Sequence, residues 1–204
     1  MYKHLFLEAD SGAGKSTLIR KIIAPYIDKI GGFTSQRLQN ENDETIAFRI
    51  VPANDLRLAV PYENTPENIF RIITEDVRGL NKPEIFESEG LKFLTDNYGK
   101  KLILLDEIGG IELRNDAFRN KLHEVLSGDI PCIGVIKQNQ KAASMSCLSG
   151  KTPVTVQYNA DLREKMLNEY NCRVLQFERN NATVESEVQK FIDNIFKYES
   201  TVSL

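Results

Sequence analysis

A chain of 204 residues with 26 basic and 29 acidic side chains carries a formal net charge of −3. That length suits a single domain over residues 1–204 with a substantial core. The balanced charge, with no Lys/Arg-dense stripe, leaves no footprint for a nucleic-acid partner. No apolar stretch is long enough to cross a bilayer, and the N-terminus lacks the apolar core of a secretory signal. Cys132, Cys147 and Cys172 lie far apart without metal-ligand spacing, so reduced thiols in a cytoplasmic protein are expected.

The first element, Lys3-His4-Leu5-Phe6-Leu7-Glu8, reads as a buried strand. It runs into Ala9-Asp10-Ser11-Gly12-Ala13-Gly14-Lys15-Ser16-Thr17, and Leu18-Ile19-Arg20-Lys21-Ile22-Ile23 then reads as an amphipathic helix. Strand, glycine-rich turn, Gly-Lys-Ser and helix follow one another in the order a phosphate-binding P-loop requires. Such a loop curls its backbone N–H groups around a phosphate, which Gly12 and Gly14 permit. Lys15 is expected to reach the β- and γ-phosphates and Ser16 to ligand Mg²⁺. The helix N-terminus adds partial positive charge. Ala9 stands where glycine is commoner, and it is small enough for the turn. A second Gly150-Lys151-Thr152 has Met145 in the leading glycine's place and no strand before it, so it reads as an ordinary loop.

Pro25 ends or kinks the first helix. Phe33–Gln39 and Thr45–Val51 read as strands joined by the polar turn Asn40-Glu41-Asn42-Asp43. Thr65-Pro66-Glu67 predicts a capped helix to about Asp76, and Pro83 opens another ending near Gly99. Lys101–Leu105 is a buried strand, Asn115–Leu126 a helix stopped at Gly128, and Ile130–Ile136 a strand. Val154–Gln157 and Arg173–Phe177 are predicted strands with a helix from about Ala160 to Tyr170 between them. Thr183 is predicted to cap the last helix, whose apolar face is Val184, Val188, Phe191, Ile192 and Ile195. This alternation predicts an α/β fold of the P-loop type, a mainly parallel sheet with helices on both faces.

The run Leu102-Ile103-Leu104-Leu105-Asp106-Glu107 is an apolar central strand ending in two acids. Ligands bind at that end of strands in open α/β sheets. Asp106 is expected to hold Mg²⁺ through water and Ser16, the Walker B role. Glu107 is expected to orient and activate a water in line with the γ-phosphate, which favours hydrolysis over transfer to another acceptor. His4 and His123 lack acid-and-nucleophile partners at a telling spacing and are read as structural.

Asp106-Glu107-Ile108-Gly109-Gly110-Ile111-Glu112-Leu113 resembles the Asp-Glu-Ile-Gly-Lys-Met-Glu-Leu run of the P-loop nucleoside-triphosphatases of the cancer-related or thermophile type. Phe118, the N-terminal motif and the Gly32-Phe33 strand start also match, and the similarity extends to the closing strand and helix from Val174 to about Ile195. The resemblance implies a slow, broad-specificity, Mg²⁺-dependent hydrolase of ATP and GTP. It also implies an extra strand between the P-loop strand and the Walker B strand.

This chain departs from the family pattern at several places. Thr34-Ser35-Gln36-Arg37 follows the Gly-Phe pair where the family shows two glutamates, and the arginine comes two places early. Two places along a strand keep the same face, so Arg37 is a candidate to meet the γ-phosphate, beside its reading as a surface charge. Gly110-Ile111 replaces Lys-Met, and Gly134-Val135-Ile136-Lys137 stands where the family often has Thr. Lys137 or Gln138 is a candidate to sense the γ-phosphate in place of that Thr, beside the favoured reading of both as loop polarity. Glu112 is read either as a family site residue or as a salt-bridge or helix-end acid. A small-molecule kinase is one alternative, but Lys137–Lys151, the natural lid region, has no arginine to clamp phosphate. A nucleotide-dependent adaptor acting with a protein partner is the other. No Asn-Lys-x-Asp guanine motif is present, so Thr152–Asn159 and Arg179–Ala182 are the regions in which a base contact is sought.

Overall fold

A computed structural model describes residues 2–10, 12–63, 67–73, 80–138, 154–179 and 181–196. Its strands are β1 (His4–Glu8), β2 (Ile30–Gln39), β3 (Thr45–Pro52), β4 (Ala59–Pro61), β5 (Ile69–Ile72), β6 (Leu80–Asn81), β7 (Leu102–Ile108), β8 (Cys132–Ile136) and β9 (Cys172–Gln176). Its helices are α1 (Lys15–Ile23), α2 (Leu91–Thr95), α3 (Asp116–Ser127), α4 (Val154–Asn168) and α5 (Ala182–Phe196). One sheet runs in the order β6-β5-β3-β2-β7-β8-β1-β9, with β4 paired to β2 beyond the stretch that β7 covers. From β2 through β7, β8 and β1 to β9 every pairing is parallel, whereas β3, β5 and β6 form an antiparallel wing. The extra strand implied between the P-loop strand and the acid-bearing strand is β8, which pairs with both.

Alternation along the parallel strands decides the two layers. Leu5, Leu7, Leu102, Leu104, Ile133 and Val135 face α1 and α5, where Ile19, Ile23, Val188 and Ile192 meet them. Phe6, Phe33, Ile103 and Leu105 face the other way, onto Phe86, Leu94, Phe118, Leu122 and Leu162. Burying a side chain of this size contributes about 1.5–3 kcal/mol, so both faces of β7 are tightly specified. Phe118 packs edge-on against Phe33 and Phe86, with ring centroids 5.8 and 5.2 Å away. Close strand approach around β7 requires two glycines. A Cβ on Gly32 (φ +89°) would lie 2.1 Å from the Leu104 carbonyl oxygen, and one on Gly134 2.0 Å from that of Leu105.

Three local expectations are corrected. The helix expected from Thr65 to Asp76 is instead strand β5, antiparallel to β3, with Ile69 and Phe70 buried. Its β-branched and aromatic run outweighs the proline signal; residues 64–66 and 74–79 lie outside the described residues. Val154–Gln157, expected as a strand, opens helix α4. The buried stripe of that helix is Asn159, Leu162 and Met166, and the polar Asn159 hid its period. Helix α5 is capped by Asn181, whose Oδ1 accepts from the backbone N–H of Thr183 at 3.1 Å and Val184 at 3.3 Å, so Thr183 sits inside the first turn. By contrast, α3 starts where expected, with Asn115 as its cap: Asn115 Oδ1 accepts from Phe118 N at 2.9 Å. No helix among the described residues is long and apolar enough to cross a membrane.

Candidate active site

The C-terminal ends of β1 and β7 bring the loop and the acids together. Glu8, the last residue of β1, is buried and held by Arg163 of α4 at 2.6 Å and by the Gln176 amide at 2.8 Å. These bonds fix the strand end from which the glycine-rich loop departs. Gly14, left-handed at φ 102°, caps α1, and Lys15 is its first residue. Lys15 is nearly buried, and its Nζ donates to the carbonyls of Ala9 at 2.9 Å and Asp10 at 2.7 Å. The ammonium therefore lies inside the loop's own curl. Ser16 Oγ donates to Asp106 Oδ1 at 2.8 Å, closing 90 residues of sequence into one contact. Ser11 lies outside the described residues.

The two acids leave β7 in opposite manners. Asp106 is buried at 3% exposure and held by Ser16. Glu107 adopts φ 66°, a conformation that L side chains rarely take, where the β7–β8 register slips between Leu105 and Ile108. This kink turns Glu107 into a cleft of about 270 Å³ lined by Gly12, Gly14, Lys15, Ser16, Thr17 and Asp106 on the same side. Backbone strain of this kind costs about 1–3 kcal/mol and persists only where the surroundings over-determine it.

Across the cleft, Arg37 on β2 is exposed and lines its wall with Ser35, Phe48 and Leu58. Arg114 does not line the cleft, and Arg119 is committed elsewhere. It donates to the Leu113 carbonyl at 2.7 Å, pairs with Asp116 at 2.8 Å and stacks 3.9 Å above the centre of the Tyr158 ring. Glu112 does not line the cleft and does not pair with Arg114. It is buried, and its Oε1 accepts from the Gly110 backbone N–H at 2.7 Å, closing the turn after β7. The side chain missing at Gly110 leaves room that Lys137 takes, since a Cβ there would lie 2.5 Å from Lys137 Nζ. Lys137 itself does not line the cleft. Gln138 does not line it either. His123 bonds the Tyr170 hydroxyl through Nδ1 at 3.0 Å and does not line the cleft, in keeping with a structural reading. Burial raises the Cys132 thiol and pushes that of Cys172 up to about 12, so neither is poised as a nucleophile; Cys147 lies outside the described residues.

Two arginines that sequence reasoning did not place at the site are there. Arg179, in the connection between β9 and α5, lines the cleft and donates to the Gly12 carbonyl at 3.2 Å. The late-loop region holding it was the only sequence signal. Arg20, on the inner face of α1 and 5% exposed, pairs with Asp106 Oδ2 at 3.0 Å. In sequence it looks like the polar side of an amphipathic helix, one residue after Ile19. Thr34 on β2 donates to the same Asp106 oxygen at 2.8 Å.

Comparison with known proteins bears on this geometry. A family model described as NTPase matches residues 4–170. The nucleoside-triphosphatase THEP1 of Thermotoga maritima is 27% identical over 169 residues, 82% of this chain and 92% of that protein. THEP1 of Thermotoga petrophila is 27% identical over 179 residues, 84% of this chain and 93% of that protein. Among solved structures, a human cancer-related nucleoside triphosphatase shares the fold with a TM-score of 0.59 at 20% identity, over 96% of this chain and 98% of that one. THEP1 of Aquifex aeolicus does so with a TM-score of 0.59 at 16% identity, over 93% and 99%. The glycine-rich loop, its helix and the two acids on β7 all fall within the matched 4–170 span, and the chain belongs to the NTPase family.

Proposed function

We propose that the protein hydrolyses nucleoside 5′-triphosphates, ATP and GTP among them, to the diphosphate and phosphate, slowly and with Mg²⁺. The observation that carries this reading is the meeting of the loop and the acid pair, with Ser16 Oγ 2.8 Å from Asp106 Oδ1 and Glu107 turned into the same cleft. Loop residues 9–17 and the N-terminus of α1 would receive the β- and γ-phosphates, with Lys15 exchanging its loop carbonyls for phosphate oxygens. The Ser16 hydroxyl and Asp106 carboxylate form an all-oxygen donor set, the chemistry Mg²⁺ prefers. Bound there, Mg²⁺ would supply neutralisation of charge on the β- and γ-oxygens.

Glu107 orients a water in line with the γ-phosphorus and accepts its proton. The water oxygen bonds to phosphorus as the bond to the bridging oxygen breaks, and the electron pair leaves with the nucleoside diphosphate. The strain held at Glu107 favours this role over that of a solvated strand-end acid. It also favours hydrolysis over transfer to a metabolite, because a carboxylate beside the γ-phosphate delivers water. Slow turnover follows from the arginines. Arg20 is committed to Asp106, and Arg37 is exposed rather than clamped. We expect about 10⁻² per second or below, the range of P-loop proteins acting without full assistance.

The test is Lys15→Ala. The folded variant should lose Mg²⁺–ATP and Mg²⁺–GTP binding by calorimetry, and unchanged affinity for both would sink the assignment.

A further inference from the structure

Asp106 is the most fully engaged carboxylate in the cleft, and its two oxygens are engaged differently. Oδ1 meets Ser16 Oγ at 2.8 Å. Oδ2 receives Arg20 Nη2 at 3.0 Å and Thr34 Oγ1 at 2.8 Å. Arg20 also donates to the Thr34 hydroxyl, to the Ser35 carbonyl at 2.8 Å and to the Arg57 carbonyl at 2.9 Å. One guanidinium thus ties α1, β2, the segment before β4 and β7 together, deep inside the protein. Arg20, Thr34 and Asp106 are each at most 5% exposed.

We infer that Arg20 is a positioning residue for the metal side of the site, acting through Asp106 and Ser16. This rests on the hydrolase reading above. By holding Oδ2, the Arg20–Thr34 pair leaves Oδ1 as the carboxylate oxygen turned to the cleft. Oδ1 accepts the Ser16 proton, so the serine's lone pairs point away from Asp106, toward the space where a divalent cation accompanying the phosphates would lie. A rotated Asp106 would release that proton and with it the serine's orientation. Arg20 and Asp106 also cancel in charge. The pair therefore adds orientation to the cation site without adding net attraction, and metal coupling depends on the fork's geometry. Lysine keeps the charge but is a point donor that cannot span these acceptors.

The experiment compares calorimetric affinity for a non-hydrolysable ATP analogue in EDTA and in Mg²⁺, for the parent, Arg20→Lys and Thr34→Val, each checked for folding by circular dichroism. In the parent, Mg²⁺ should tighten binding. In Arg20→Lys the affinity in EDTA should stay as it was while the tightening by Mg²⁺ falls about tenfold, as when a metal ligand loses its outer support. Thr34→Val removes one hydroxyl and leaves the ion pair, and its tightening should fall in the same direction by about threefold. Thr34→Val carries the test if Arg20→Lys does not fold. Parent-like tightening in the folded variants overturns the role of Arg20, as does an equal loss with and without metal, which marks a purely structural residue. A parent that binds no nucleotide in either condition instead defeats the hydrolase reading itself.

Discussion

The parallel half of the sheet and its antiparallel wing contribute to the cleft in opposite ways. β1 and β8 are buried along their whole length, and β7 is buried except at Glu107. Their common direction places the loop, the start of α1 and both acids at one edge, where backbone geometry fixes each group. The wing strand β3 is buried only at Ala47, Ile50 and Val51, and it gives the cleft only Phe48. Where the wing joins, β2 adds Arg37, a long exposed side chain. On the proposed hydrolase reading, groups fixed by the main chain carry the reaction, and groups carried on flexible stems adjust it. Substitutions of Lys15 and Glu107, which the main chain fixes at the cleft, should therefore be severe, and those of the exposed arginines that line it graded.

The largest expected effect is at Glu107. Glu107→Gln should bind nucleotide as the parent does and turn over about 10²–10⁴ times more slowly, the usual contribution of a general base. Glu107→Gly should be as inactive yet melt at a higher temperature, because glycine relieves a strained conformation worth about 1–3 kcal/mol. Single-turnover phosphate release and thermal melts measure both. A Glu107→Gln variant at the parent rate would show that water is activated elsewhere and break the division between the halves.

How much was legible in sequence follows the same division. The loop at 9–17, the acids on β7 and the helices α1 and α3 were legible because each combines a buried apolar run with a motif or cap that only one backbone satisfies. β5 was not, because Thr65-Pro66 reads equally well as a cap or a turn, and its pairing with β3 is a long-range fact. Arg20 was hidden for a related reason. Its helical position is ordinary, and only the packing of α1 against β2 and β7 shows that it faces a carboxylate 86 residues away. The bulge that turns Glu107 toward the cleft is likewise a property of the β7–β8 register and not of local propensity.

A smaller effect should appear as pH dependence confined to the parallel half. His4 begins β1 between β8 and β9, fully buried, with Nδ1 accepting from the Cys132 backbone N–H at 2.8 Å. Burial, with the Lys3 ammonium beside it, lowers its pKa from 6.5 to about 4. A histidine depressed in the fold is neutral there while the unfolded chain is already protonated. Its contribution is thus fully present above the unfolded value of 6.5 and is lost as pH falls toward 4. The loss amounts to about 3 kcal/mol. Urea unfolding at pH 7.5 and 4.5 should show it, and His4→Asn, whose Oδ1 can still accept from Cys132, should flatten the difference. An equal pH slope in the variant would place the sensitivity elsewhere.

The smallest expected effects separate the two exposed arginines that line the cleft. Both line the cleft, Arg37 from β2 and Arg179 from the connection before α5, where it donates to the Gly12 carbonyl; we expect Arg37 to meet the γ-phosphate and Arg179 to lie outside the phosphates. A charge that meets the γ-phosphate acts on the transition state more than on binding, and one outside the phosphates acts on binding alone. Arg37→Ala should lower kcat by about tenfold, well short of the 10³–10⁵ of a clamped arginine, because its stem is free in the parent. Arg179→Ala should raise KM by about fivefold and leave kcat unchanged. Arg114→Ala, outside the cleft, should change neither. Steady-state kinetics on ATP and GTP with saturating Mg²⁺ resolves the three. If Arg37→Ala costs as much as Glu107→Gln, then β2 contributes a fixed catalytic group, and the graded behaviour assigned to the wing side of the cleft is wrong. If Arg37 and Arg179 exchange their kinetic signatures, the nucleotide lies in the cleft with its phosphates toward β9 instead of β2.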